Sequence, residues 1–194
     1  MKTLRLAPLF AILLMLGLTA CPETSVPRNF GGKTLKLKTG DWQGTWRAAG
    51  DDDDLRFVVK DAATGQITVM INDDEKKTEE VVEIVMHETG VKEGGGLAFL
   101  LSFEKPGDEQ GSLTLVTVPK KGVFHSWGLR NDAVEAAVKS GELKGTLKQV
   151  KEKNDEKPHN HAQLAADPAN YAKLLDGKYW EWTSPTTYIR VPGK

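Results

Sequence analysis

The stretch LRFVVKDAATGQITVMI, Leu55–Ile71, sets the fold class. Leu55, Phe57 and Val59 alternate with Arg56 and Lys60; Ile67, Val69 and Ile71 alternate with Thr68 and Asn72. A side-chain period of two places the apolar set on one face of an extended chain, as a half-buried strand requires. DAATG supplies a short glycine-containing turn between the runs, so the stretch predicts a β-hairpin.

Working outward, further strands are expected at Val81–His87, Leu97–Glu104, Leu113–Pro119, Val123–Trp127, Leu143–Val150 and Thr186–Val191. Their separators, such as ETGVKEGGG, KPGDEQGS and PKKG, are rich in turn formers. Many short strands at close spacing predict a mainly β chain, an antiparallel barrel or sandwich of about eight strands with two short helices. The first helix is DAVEAAVK, residues 132–139, opening with an Asp/Glu pair spaced as a capping box and stopping before Gly141. Val134, Ala137 and Val138 fall on its one face. The second starts at Asp167-Pro168, an N-cap followed by proline, turns Tyr171, Leu174 and Leu175 inward, and ends at Asp176-Gly177. Between them, KEKNDEKPHN reads as a charged, solvated connection.

The N-terminus has a different character. Lys2 and Arg5 precede LAPLFAILLMLGLTA, Leu6–Ala20, which carries no charge. This run is short for a bilayer span of about 20 apolar residues but fits the apolar region of a secretory signal peptide. The chain has a single cysteine, Cys21, directly after that run, so no intramolecular disulfide is possible. Leu18, Thr19, Ala20 and Cys21 resemble the lipobox of bacterial lipoproteins. In that family the peptide is cut between the small residue and the cysteine, and the thiol is diacylated through a thioether. The resemblance implies cleavage between Ala20 and Cys21, lipid attachment at Cys21, and a lipid bilayer as partner. An ordinary cleaved leader that happens to contain a cysteine is the alternative. Pro22 is not the aspartate of an inner-membrane retention signal, so a host with two membranes implies the outer one, facing the periplasm.

Removing the leader takes Lys2 and Arg5 from 26 basic side chains, leaving 24 against 27 acidic ones, a balance of −3. Such a surface gives no electrostatic footprint for nucleic acid or anionic lipid. Residues 1–20 are thus read as a signal peptide, 21–33 (CPETSVPRNFGGK) as a lipidated flexible tether, and 34–194 as a single β-rich domain. GDWQGTW, Gly40–Trp46, also resembles the G-x-W opening of calycin-type barrels, whose tryptophan plugs the barrel floor. In lipocalins a C-terminal arginine packs over that tryptophan, a place Arg190 would take; the resemblance carries an architecture and no ligand.

Each site candidate has a structural reading beside it. His159 and His161 project to one side of an extended chain and could share an ion, with Asp155 and Glu156 upstream; two imidazoles are too few for a metal site, and the segment reads as a charged loop. Asp51–Asp54 lacks the alternation of a calcium loop and reads as a solvated turn. Trp180 and Trp182, two apart in YWEW, would share a strand face as a sugar platform or pack in the core. His125 lies between Val123 and Trp127 on an expected strand. No G-x-S-x-G element is present, and KEGGGLAF lacks the ending of a phosphate loop, so no cofactor is implied. The expectation is therefore a non-enzymatic envelope lipoprotein that binds an envelope protein, a glycan or a small apolar ligand. The alternative is a cell-envelope hydrolase or metal-binding protein built from His125, His159 and His161.

Overall fold

The computed structural model describes residues 24–73, 78–91, 96–105, 107–151 and 158–193. The leader, Cys21 and the acidic pair Asp155 and Glu156 lie outside these residues. The strands are β1 (Thr24–Pro27), β2 (Gly44–Ala48), β3 (Asp54–Asp61), β4 (Gln66–Asp73), β5 (Thr78–Glu88), β6 (Leu97–Phe103), β7 (Gln110–Thr117), β8 (Val123–Trp127), β9 (Gly145–Val150), β10 (His159–Leu164) and β11 (Thr186–Arg190). Three short helices accompany them: α1 (Thr39–Trp42), a single turn, α2 (Asn131–Lys139) and α3 (Pro168–Leu174).

Eight of the strands close into an antiparallel barrel in the order β2-β3-β4-β5-β6-β7-β8-β11, with β11 pairing back onto β2. The expected hairpin is β3–β4, in register from Leu55–Ile71 to Val59–Ile67. Gly65 makes its turn possible: φ is +72°, and a Cβ there would lie 2.6 Å from the Met86 carbonyl oxygen.

Alternation decides what fills the lumen. Trp46, Leu55, Phe57, Ile67, Val69, Ile84, Met86, Leu100, Phe124 and Tyr188 point inward and form one core with Trp42. Phe124 is at its centre, with ring centroids of Tyr188, Trp46, Trp42 and Phe57 at 4.6, 4.9, 5.7 and 6.1 Å. At one end the Arg190 guanidinium lies 4.9 Å from the Trp46 ring centroid and donates from Nη2 to the Asp41 carbonyl. The Trp46 indole N–H in turn donates to the Trp42 carbonyl at 2.8 Å. One arginine thereby ties the last strand, the first barrel strand and the helical turn before it.

A second core lies outside the barrel. The outward residues of β6 and β7, Phe99, Leu101, Phe103, Leu113 and Leu115, are covered by Val134 and Ala137 of α2, Leu174 of α3, Ala162 and Leu164 of β10, and Trp180. With both faces covered, β6 reads LAFLLSF, a continuous apolar run rather than an alternating one. The covering layer is a side sheet. The edge of β7 pairs with β8 at Leu115 and Val116, but with β1 at Ser112, Gly111 and Gln110. β1 continues in parallel to β10, and β10 in antiparallel to β9.

The structure corrects several expectations. Residues 24–33 are not a free tether: Thr24–Pro27 is β1, and Val26 and Phe30 are fully buried. Arg28 fastens the segment by an ion pair to Glu83 at 2.9 Å, a bond to the Asp108 carbonyl and a stack on the Phe103 ring. His159–Leu164 is a strand rather than part of a loop. The capping box is not formed, since α2 starts at Asn131 behind Arg130 with no side-chain cap. Glu135 instead binds Lys139 and Asn160, whose hydrogen bonds, that of Lys139 foremost, hold its carboxyl below its ordinary range. The α3 start is as expected: Asp167 Oδ1 accepts from the Ala169 N–H at 2.8 Å.

Past β1 the chain crosses the outer face of β5 and buries His87, which is 3% exposed. Gly31 (φ +97°) passes so close that a Cβ would stand 2.8 Å from that of His87. His87 Nδ1 donates to the Gly32 carbonyl at 3.1 Å, and Nε2 finds no partner among the described residues. Burial pushes the imidazole below its ordinary pKa, against the opposing pull of the Gly32 carbonyl.

Two outcomes follow for stability. Arg190→Ala removes a cation–π contact and a charged hydrogen bond, together about 2 kcal/mol; the urea midpoint should fall with an unchanged slope, and an unmoved midpoint rejects the floor as a structural tie. Because His87 is held neutral, the unfolded chain binds a proton below about pH 6.5 that the fold resists; stability is full above that pH and drains as pH falls through it. His161, also lowered by burial, acts in the same sense. Thermal unfolding of His87→Gln from about pH 7 to about pH 5 should thus show a shallower decline than the wild type, whereas parallel curves discard the assignment.

Candidate aromatic contact surface

The outer face of β8 and β11 carries an imidazole and an indole. On β3 and β4 the outward positions are mixed: Arg56, Val58 and Lys60 on one strand, Thr68 and Met70 on the other. On β8 they are Val123, His125 and Trp127; on β11, Thr187 and Ile189. Cross-strand pairing sets Val123 opposite Ile189 and His125 opposite Thr187. His125 Nδ1 and Thr187 Oγ1 share a hydrogen bond of 3.0 Å, and the His125 backbone N–H donates to Thr117 Oγ1.

Trp182 completes this surface. Its ring lies 5.1 Å from that of Trp127 at 55°, and the Trp127 ring lies 6.2 Å from that of His125. The Trp182 indole N–H donates to the Gly177 carbonyl, and the Glu181 N–H to that of Gly128 at 3.1 Å, so the segment carrying it is pinned from both sides. Trp182 is 40% exposed and Ile189 49%. The remaining exposed large apolar residue among those described, Val81, belongs to β5, on the opposite wall. Trp182 lies at the Trp127 end of this face and Ile189 at the Val123 end, with the His125–Thr187 pair between them.

Trp180 and Trp182 do not share a strand face. A 3-10 turn, Gly177–Tyr179, precedes them, and Trp180 contributes only an isolated bridge to Leu129. Trp180 is buried against Phe99 in the outer core, its indole N–H donating to the Leu174 carbonyl. Trp127 takes its place as the companion of Trp182. The signal for that pairing lies in VFHSW, whose alternation sets Trp127 on the face of His125; that Trp182 returns to it is a tertiary fact.

The histidine candidates do not meet. His159 and His161 share β10, while His125 is on β8, and β7 and β1 lie between. Lys148 stands opposite His161 on β9. Burial first, then the charges of Lys148 and His159, lowers the His161 imidazole, and its Nε2 has no partner among the described residues. Among those residues no three His, Cys, Asp or Glu side chains gather where a metal ion could be held. The acidic run is a turn: Asp51 Oδ1 accepts from the N–H groups of Asp52 and Asp53, and Asp54 pairs with Arg47 at 2.7 Å.

The strand split on β7 places the chain's entry point beside the aromatic pair. Ser25 is opposite Ser112, which sets Thr24 beside Leu113, while Trp127 is opposite Leu115. Thr24 and Trp127 therefore occupy one edge of β7 about 7 Å apart, two residues of strand rise. Thr24 is buried, and its hydroxyl donates to Asn131 Oδ1 at 2.8 Å. Comparison with family models, with curated proteins and with solved structures gives no match for this chain.

Proposed function

We propose that the chain is an exported envelope lipoprotein, anchored through acylated Cys21, whose barrel serves as a binding or interaction module. The leader, the small residues before Cys21 and the lone cysteine support the anchor. Two acyl chains hold a protein firmly, at about 0.8 kcal/mol per buried CH₂, where one chain holds only marginally. With Pro22 after the cysteine, the outer membrane facing the periplasm is the address in a host with two membranes.

The binding reading rests on one observation above all: Trp182 stands exposed against Trp127 on an otherwise ordered barrel wall. A large aromatic left in water on a pinned segment marks a contact surface. The centre of the lumen is taken by Phe124 and the four rings around it, leaving the outside of the barrel as the surface a partner would meet. An envelope protein, a glycan and an apolar ligand are the partner classes such a surface serves.

Growth of cells expressing the full chain with radiolabelled palmitate should label the wild type and leave Cys21→Ser unlabelled and uncut. Equal labelling of the variant refutes the anchor.

A further inference from the structure

The partner of the Trp127–Trp182 surface follows from where the chain enters the fold. We infer that this surface is the barrel's resting face on the bilayer, so that the lipid surface itself is what the aromatic pair contacts. The inference builds on the proposed anchor at Cys21.

Thr24, the first described residue, already belongs to β1 and is buried. Cys21 precedes it by three residues, a reach of at most about 10 Å at full extension. The headgroup layer of one leaflet is about 5–8 Å deep. An acylated Cys21 therefore cannot let the domain float free: whichever wall surrounds Thr24 is held at the headgroups. That wall is the edge of β7, where Trp127 lies about 7 Å along the same edge and Trp182 packs on Trp127.

The chemistry of the wall matches its position. Tryptophan is enriched at the membrane interface; here Trp182 offers its exposed ring, since its N–H is taken by the Gly177 carbonyl. Ile189 is exposed on the same face, beyond the His125–Thr187 pair. Opposite, on β5, the exposed apolar residue is Val81, paired across the strands with Met70. Charge does not drive the contact, because the mature chain is mildly acidic and the acidic turn Asp51–Asp54 adjoins β11, where the Ala49 N–H donates to the Thr187 carbonyl. Docking should therefore persist at high salt, unlike attachment by basic residues.

The indoles themselves report the outcome. Trp42, Trp46 and Trp180 are buried at 0–2% exposure and serve as internal references within the five-tryptophan chain. Full-length acylated protein is reconstituted into phosphatidylcholine vesicles whose acyl chains carry bromine near the headgroup. The bromines should quench part of the tryptophan emission, and Trp182→Phe should reduce that quenching several-fold while membrane association and palmitate label stay unchanged. Trp127→Phe should reduce it further; because Trp182 is the more exposed of the two, its variant decides if the Trp127 change perturbs folding. Anchored, labelled protein with no quenching, or with quenching that Trp182→Phe leaves intact, overturns the docking and spares the anchor. Quenching replaced by concentration-dependent self-association overturns it in favour of a second copy on the same face. An unlabelled Cys21 on protein that stays off the vesicles refutes the anchor, and the docking with it.

Discussion

The Arg190 guanidinium on the Trp46 indole fastens the strand that closes the barrel. Seven strands from β2 to β8 run as a meander, and a meander alone is an open sheet with two raw edges. β11 fills the gap between β8 and β2, and Arg190 locks it there by reaching past Trp46 to the carbonyl of Asp41. The floor of the lumen is therefore held by a residue near the far end of the chain.

Closure has a geometric cost at β7, and the fold makes use of it. After Trp127 the chain leaves the wall, so β8 covers only part of the β7 edge, and the N-terminal strand completes it. β1 then serves as the stem of a side sheet whose far strands, with α2 and α3, roof the apolar outer faces of β6 and β7. The same event, departure of the chain at Gly128, opens a seat for β1, starts the outer layer and sets Trp182 beside Trp127. Fold and candidate site share one cause.

Much of this was legible in local sequence wherever one face of an element is wet. The β3–β4 hairpin follows from alternation and a glycine turn, and α3 from Asp167 and Pro168, because those signals act within a few residues. The misread parts depend on distant partners. TSVPRNF, residues 24–30, has the composition of a linker, yet Arg28 orders it through Phe103 and Glu83, and Phe30 through Tyr171, all 55 or more residues away. His159–Leu164 looks like a charged loop until β1 and β9 flank it. The YWEW pair failed for a smaller reason: a turn at Gly177 breaks the two-residue period, sending one indole inward and leaving the other in water.

The placement of the closing strand also governs when the fold can form. No growing chain that lacks residues 186–190 can complete the ring, and the seam to β2 joins segments 140 or more residues apart, as Tyr188 is from Ala48. Non-local pairing of this kind is slow, because the entropy of a long loop must be overcome before any contact rewards it. During synthesis the polypeptide is thus kept from locking prematurely. Closure is accordingly a late event of folding: it waits on the last strand and sets only once residues 186–190 have been made.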